Sequence, residues 1–292
     1  MVPSRHYLRL RGDFKMKYII ISSLIMVSIF DMACADLDGF LFNPKEIESY
    51  ELPDNDIPEA FLTQVTFESN GNTLYGYWVA SEGGRPGITI LYCHGNKHNI
   101  DEYWDRIMYL HDMGVNVFIF DYSGYGLSEG TNSEESLLAN GDAALDYVLS
   151  RSEVTADSLV LYGYSLGNVV SIYLAAEKIN PLVLIAEAPF ASANSLTQGS
   201  LLIDVPSLWL TRSNFDNGER IKEINTPFLL LHGDKDDLIR YEDNGRYVFE
   251  NAPDPKSRVV VEGAKHTNIP EILGVSTYLS ILIEWINEVA NQ

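Results

Sequence analysis

Six short runs of apolar residues, at 88–92, 115–120, 159–162, 182–185, 228–231 and 258–261, are each too short for a helix and too uniformly apolar for a strand with one wet face. Such runs fit strands covered on both sides. Between them lie stretches with helical spacing, at 101–113, 133–149, 166–177, 242–251 and 272–289. The second of these is the most fully signalled. Asn132 or Ser133 can cap it, Glu134 and Glu135 fall in a favourable first turn, and Leu137, Leu138, Ala144, Leu145, Val148 and Leu149 recur at helical spacing. Strands alternating with helices need crossover connections, and right-handed crossovers place helices on both faces of a mostly parallel sheet. An α/β fold is therefore expected. Ahead of this pattern, residues 61–68 and 73–79 alternate apolar and polar positions around Asn70-Gly71, a hairpin signal.

Composition narrows the function classes. Two cysteines in 292 residues exclude a disulfide-stapled scaffold and a multi-cysteine zinc module, so stability has to come from an ordinary apolar core, which a 46% apolar content supplies. Twenty Lys and Arg against 41 Asp and Glu give a formal net charge of -21. Residues 1–35 hold five of the basic residues and two of the acidic ones, so the remainder carries 15 against 39. A body that acidic repels phosphate backbones and anionic lipid surfaces, which rules against nucleic-acid binding.

The N-terminus reads as an export signal. Lys15 and Lys17 precede thirteen residues, 18–30, that are apolar except for serines. As a helix they would span roughly 20 Å, short of the roughly 30 Å hydrocarbon core of a bilayer. Ala33-Cys34-Ala35 then gives a small-residue cleavage pattern, with release expected before Asp36. Met16 is an alternative start to Met1. Cys34 is also a candidate lipidation site, since a cysteine just after such an apolar run resembles a bacterial lipobox, although Asp31 departs from its usual aliphatic residue. Both outcomes stand as expectations: a periplasmic or secreted protein, or a lipoprotein anchored at the membrane. Residues 36–60, with Pro44, Pro53, Asp54 and Asp56, read as a tether into one domain spanning 61–292.

The chemistry concentrates at the carboxyl ends of the expected strands, where ligands bind on such sheets. Gly163-Tyr164-Ser165-Leu166-Gly167 leaves the apolar run at 159–162 and opens a helix. G-x-S-x-G recurs by chance in chains of this length; a strand before it and a helix after it make it a nucleophile elbow. The sharp turn projects the Ser165 hydroxyl at a helix N-terminus, where peptide dipoles favour developing negative charge. A serine hydroxyl needs a base, and the base an orienting carboxylate, in the chain order Ser, acid, His. Only His232 and His266 follow Ser165. His266, in a loop after the last strand, is taken as base. Asp236, in His232-Gly233-Asp234-Lys235-Asp236-Asp237, is taken as acid, with Asp234 and Asp237 as competitors. For the oxyanion hole the backbone amides of Leu166 and Asn96 are expected, the second from the exit loop Cys93-His94-Gly95-Asn96. His94 is read as a structural histidine locking that turn, and Cys93 as a buried, inert thiol.

These residues carry a resemblance. His94-Gly95-Asn96, the stretch 121–130 (DYSGYGLSEG), the elbow, Ala188-Pro189-Phe190, His232-Gly233 with Asp236, and His266 together resemble an α/β-hydrolase of the serine aminopeptidase-like group, near its BEM46-like branch with the α/β-hydrolase domain-containing proteins 13 and 17. The likeness covers roughly residues 60–290, and the family's triad falls on Ser165, Asp236 and His266. Ser123 and Asn168 depart from the family, which often has Arg and a small residue there. The resemblance implies a serine hydrolase working through an acyl-enzyme, foremost on carboxylesters. Aminopeptidase-like or thioesterase activity, and a non-catalytic hydrolase-fold binding protein, are the alternatives. The substrate is then a small-molecule ester, thioester or short peptide.

Other motif readings fail. Residues 124–129 (GYGLSE) lack the last glycine of a dinucleotide loop, no Gly-Lys-Ser/Thr occurs, and Leu238 and Ile239 break the calcium-loop pattern begun at Asp234. No metal and no cofactor are expected. A short helical cap is expected at about 190–226, with one apolar patch of Leu201, Leu202, Ile203, Val205, Leu208, Trp209 and Leu210.

Overall fold

The computed structural model describes residues 41–85, 87–200 and 213–291. The expected signal segment with Cys34, and the apolar patch at 201–210, lie outside the described residues. Among the described residues no helix is long and apolar enough to cross a membrane.

Eight strands form one sheet: β2 (Leu62–Ser69), β3 (Asn72–Val79), β4 (Thr89–Cys93), β6 (Asn116–Phe120), β7 (Leu159–Tyr164), β8 (Val183–Glu187), β9 (Phe228–Gly233) and β10 (Lys256–Val261). Their spatial order is β10-β9-β8-β7-β4-β6-β3-β2. The six strands from β10 to β6 run parallel, while β3 pairs antiparallel with both β6 and β2. The hairpin closes on Asn70 and Gly71, both in the left-handed region at φ 51° and 78°, as a two-residue turn matching strand twist requires. Two further strands of two residues, β1 (Asn43–Pro44) and β5 (Lys97–His98), pair parallel to each other outside this sheet.

Burial on two faces explains the uniformly apolar runs of β4, β6, β7, β8 and β9, while β10, at the sheet edge, departs from the expectation and leaves Arg258 and Val260 exposed. Along β4 and β7, Leu91, Cys93, Leu159 and Leu161 point into one core, and Ile90, Tyr92, Val160 and Tyr162 into the other. Helices Glu134–Leu149 and Gly167–Glu177 cover the first face, and helices Trp104–His111 and Val275–Ala290 the second. Each fully buried Leu, Ile, Val or Phe side chain contributes roughly 1.5–3 kcal/mol, so two cores hold the sheet from both faces.

Several boundaries differ from expectation for local reasons. The helix expected at 101–113 opens as a 3₁₀ turn, Ile100–Tyr103, whose cap Asn99 accepts the Asp101 amide, and is α-helical only over Trp104–His111. The helix expected at 272–289 is two helices, Ile269–Leu273 and Val275–Ala290, because Gly274 sits at φ 78° and breaks the helical path. Ser133 rather than Asn132 caps Glu134–Leu149, with Ser133 and Ser136 satisfying each other's amides.

The described part of the expected tether is not a free linker. Leu41, Phe42 and Ile57 are buried, and the strand β1 and the segment after it hydrogen bond to the rest of the domain through Asn43 N to Asn96 O at 3.1 Å, Lys45 N to His98 O at 3.0 Å and Ile47 N to Gly126 O at 3.1 Å. Leu41 and Phe42 bury apolar surface that Pro-rich, acidic neighbours concealed in the sequence. In the region of the expected cap, helices Ala193–Ser200 and Asn217–Arg220 and the 3₁₀ turn Ile221–Glu223 are described.

Candidate active site

The strand β7 ends at Tyr164, and the next residue, Ser165, adopts φ 52° before helix Gly167–Glu177 begins. A non-glycine residue held there stores of order 1–3 kcal/mol of strain, which the surroundings must impose. They do so from three sides. The Ser165 amide donates to Glu187 O at 3.0 Å, and Asn168 Nδ2 donates to both Ser165 O at 3.0 Å and Glu187 O at 2.9 Å. Asn168 is thus an internal clamp on the turn. The two motif glycines are steric necessities: a Cβ on Gly163 would lie 2.2 Å from Ser171 Oγ, and one on Gly167 would lie 1.8 Å from the carbonyl oxygen of Cys93. Only glycine lets the helix start that close to β4.

The structure brings Ser165, His266 and Asp236 together. Ser165 Oγ is 2.9 Å from His266 Nε2, and His266 Nδ1 is 2.7 Å from Asp236 Oδ2. With Nδ1–H donating to the carboxylate, Nε2 is left to accept the serine proton. All three are nearly enclosed, at 9%, 8% and 4% exposure for Ser165, His266 and Asp236, so their attraction is little screened by water. Asp236 Oδ1 accepts the amides of Leu238 at 3.0 Å and Ile239 at 2.7 Å. Burial opposes ionisation of Asp236, but His232, His266 and the Ile239 amide outweigh it and hold the carboxyl well below the usual carboxylate range. The competing acids are placed elsewhere, Asp234 accepting the Gly263 amide at 2.6 Å and Asp237 being exposed, while His232, fully buried behind Asp236, donates from Nε2 to Ile239 O at 2.7 Å.

The amides of Asn96 and Leu166 donate to no acceptor among the described residues. The loop bearing Asn96 is rigidly held. Asn96 O accepts Tyr125 Oη at 3.1 Å as well as the Asn43 amide, and Tyr103 Oη accepts the Lys97 amide at 2.9 Å. His94 takes no place in the site. Wholly buried, it packs between Tyr103 and Tyr122, donates from Nδ1 to Gly95 O at 2.7 Å and sets Nε2 3.2 Å from Asp121 Oδ1. Cys93 is fully buried as a free thiol, and burial pushes its pKa up.

Two cavities meet at Ser165. One, of about 360 Å³, has polar and apolar lining in about equal measure and is lined by Tyr103, Arg106, Tyr164, His266, Thr267 and Glu271 among others. The other, of about 60 Å³, is walled by Leu41, Leu166, Phe190, Leu196, Leu238 and Ile239. Among the described residues no group of three or more His, Cys, Asp or Glu side chains could hold a metal ion.

A buried charge network went unread in the sequence. Arg106 Nη1 donates to Glu187 Oε1 at 2.7 Å, while Tyr162 Oη at 2.5 Å and Tyr278 Oη at 3.0 Å donate to Glu187 Oε2. The second guanidinium nitrogen of Arg106 donates to Thr267 O at 3.1 Å, and Tyr164, under the guanidinium at 4.3 Å, donates to His266 O at 3.1 Å. Burial opposes the Arg106 charge; Glu187 and the surrounding tyrosine hydroxyls outweigh it and raise its pKa. The network therefore fixes the backbone of the His266 loop. The sequence signal was present: an arginine within a helix that otherwise buries Trp104, Ile107 and Leu110, and a glutamate ending an apolar strand.

A mostly parallel sheet with a strained serine between strand and helix, facing a histidine from the loop after the last strand, is the arrangement of the α/β-hydrolases. A model of the family described as serine aminopeptidase, S33, matches residues 84–213. The chain is similar to the uncharacterized protein Rv2307c of Mycobacterium tuberculosis, at 31% identity over 229 residues, 77% of this chain and 79% of that one. It is also similar to the alpha/beta hydrolase domain-containing protein 17B of Xenopus tropicalis, at 29% identity over 244 residues, 82% and 78% of the two chains. The chain belongs to the serine aminopeptidase S33-like family of α/β-hydrolases. Its fold matches that of an esterase from Pyrococcus furiosus with a TM-score of 0.68 at 17% identity, covering 85% of this chain and 98% of that one.

Two outcomes follow from the geometry. Because the native Asp236 carboxyl lies below its unfolded value, its contribution to stability is complete above about pH 4 and is lost as pH falls from there toward the native value. Asp236→Asn is accordingly expected to be less stable than the parent at pH 7, with the gap closing below pH 4 in urea titrations; a gap independent of pH would contradict this. Glu187→Gln, which leaves the buried Arg106 charge without its anion, is expected to lose about 3–5 kcal/mol in the same assay, and Arg106→Met with Glu187→Leu to regain much of it. An unchanged unfolding midpoint for Glu187→Gln would show that the pair does not hold this region.

Proposed function

We propose that this protein is a serine hydrolase that cleaves carboxylesters through an acyl-enzyme on Ser165. The observation that carries the reading is the continuous chain of short hydrogen bonds from Ser165 Oγ through His266 to Asp236, beside two backbone amides that find no acceptor among the described residues. In this reading Ser165 Oγ attacks the acyl carbonyl as His266 Nε2 takes its proton. The tetrahedral oxyanion receives the amides of Asn96 and Leu166, a type of interaction worth roughly 2.7–4 kcal/mol per donor. His266 then returns the proton to the departing alcohol, and Asp236 stabilises the imidazolium in between. Water attacks the acyl-enzyme by the same steps in reverse, restoring the serine.

Membership of a hydrolase family supports the reaction class, and the likeness in fold to an esterase from Pyrococcus furiosus agrees with the ester as substrate. The family's description favours a second reading, aminopeptidase-like cleavage, on the same residues. A net charge of -21 disfavours polyanionic substrates in either case. The proposal extends to place: the signal-like residues 1–35 would send the hydrolase out of the cytoplasm, either held by lipid on Cys34 or released ahead of Asp36.

The purified protein is expected to react with a fluorophosphonate probe. Ser165→Ala should abolish labelling, and His266→Ala should slow it by at least about 100-fold, the usual worth of a general base. A folded parent protein that takes no label would sink the proposal and favour a binding role for the fold.

A further inference from the structure

We propose that the small cavity is the acyl pocket, that Leu41 at the head of the strap formed by residues 41–45 makes one of its walls, and that the hydrolase therefore selects esters of short acyl groups with Leu41 as the residue limiting their length. The inference rests on the serine hydrolase reading and assigns its substrate class.

The direction of the substrate follows from proton transfer. His266 must reach the departing atom to protonate it, so the leaving group lies in the cavity that His266 lines, the larger one of about 360 Å³. The acyl chain is left with the other exit from Ser165. That exit passes Leu166 into about 60 Å³ lined by Leu41, Phe190, Leu196, Leu238 and Ile239, where burial of apolar surface favours a hydrocarbon chain. A cavity of about 150 Å³ holds benzene, so one of this size takes roughly two to four carbons.

The Leu41 wall is built in. Leu41 and Phe42 are 7% and 3% exposed, and the Phe42 ring meets Phe215, which in turn meets Phe190, at centroid distances of 6.0 and 5.9 Å. The segment is tied to the loop that presents the Asn96 amide: Asn43 N donates to Asn96 O at 3.1 Å, Asn96 Nδ2 donates to Leu41 O at 3.4 Å, and β1 pairs with β5 directly after that loop. One strap thus supplies a wall of the acyl pocket and braces the loop that carries the Asn96 amide.

The test is kcat/KM for p-nitrophenyl acetate, butyrate, octanoate and laurate. The parent protein is expected to prefer acetate or butyrate over octanoate by at least about tenfold, the discrimination that one or more excess methylenes bring in an apolar pocket. Leu41→Ala should raise the octanoate-to-butyrate ratio by about tenfold or more, and Leu41→Phe should lower the butyrate-to-acetate ratio, so that a poorly folded alanine variant does not end the test. A parent that prefers octanoate or laurate, or ratios unmoved in both folded variants, would overturn the assignment. Fluorophosphonate labelling of the same samples separates the two claims. A labelled parent with the wrong chain-length profile sinks the acyl pocket alone, and an unlabelled parent sinks the hydrolase reading beneath it.

Discussion

The main-chain carbonyl of Glu187 accepts the Ser165 amide and the Asn168 side chain, while its carboxylate accepts Arg106, Tyr162 and Tyr278. One residue at the end of β8 therefore holds the serine turn through its backbone and, through Arg106 and Thr267 O, the loop that carries His266. The two groups are 101 positions apart in the chain, and their 2.9 Å approach depends on that common anchor. A buried ion pair is a poor source of net stability, since desolvation cancels much of its attraction. Its value here is geometric: it removes alternatives for two loops that must meet within a few tenths of an ångström.

Strain and packing act together at the elbow. Ser165 is held in the left-handed region, and the contact of Gly167 with the Cys93 carbonyl brings the helix N-terminus against β4, the strand whose exit loop offers the Asn96 amide. The Asn96 and Leu166 amides thus come from two elements in direct backbone contact. The aromatic packing of His94, Tyr103, Tyr122 and Tyr125 fixes the exit loop from below, and the β1 strap fixes it from the side. None of these groups need move for charge to be stabilised as it develops, the condition under which such donors are most effective.

The sequence made the sheet legible because β4, β6, β7, β8 and β9 are buried on both faces and so read as unbroken apolar runs. Ser165, Asp236 and His266 were legible because each lies just beyond such a run, where a strand end and a loop signal coincide. The Arg106–Glu187 pair was not, because a buried charge is recognised only with its partner, and 81 positions separate the two. The strap was hidden for a different reason. Its two apolar residues, Leu41 and Phe42, show no period, and strand β1 is two residues long and pairs with another two-residue strand. The split at Gly274 was missed because the apolar spacing on its two sides continues in helical phase while the backbone does not.

The central claim is that Ser165 carries the acyl group between substrate and water. It is tested most directly by mixing the protein with p-nitrophenyl acetate, quenching in acid within the first turnovers, and measuring intact and peptide masses. The account predicts a burst of nitrophenol with a mass increase of one acetyl group located on Ser165. Hydrolysis with no burst and no acetyl on Ser165, in a protein whose Ser165→Ala variant hydrolyses the ester equally fast, would contradict it.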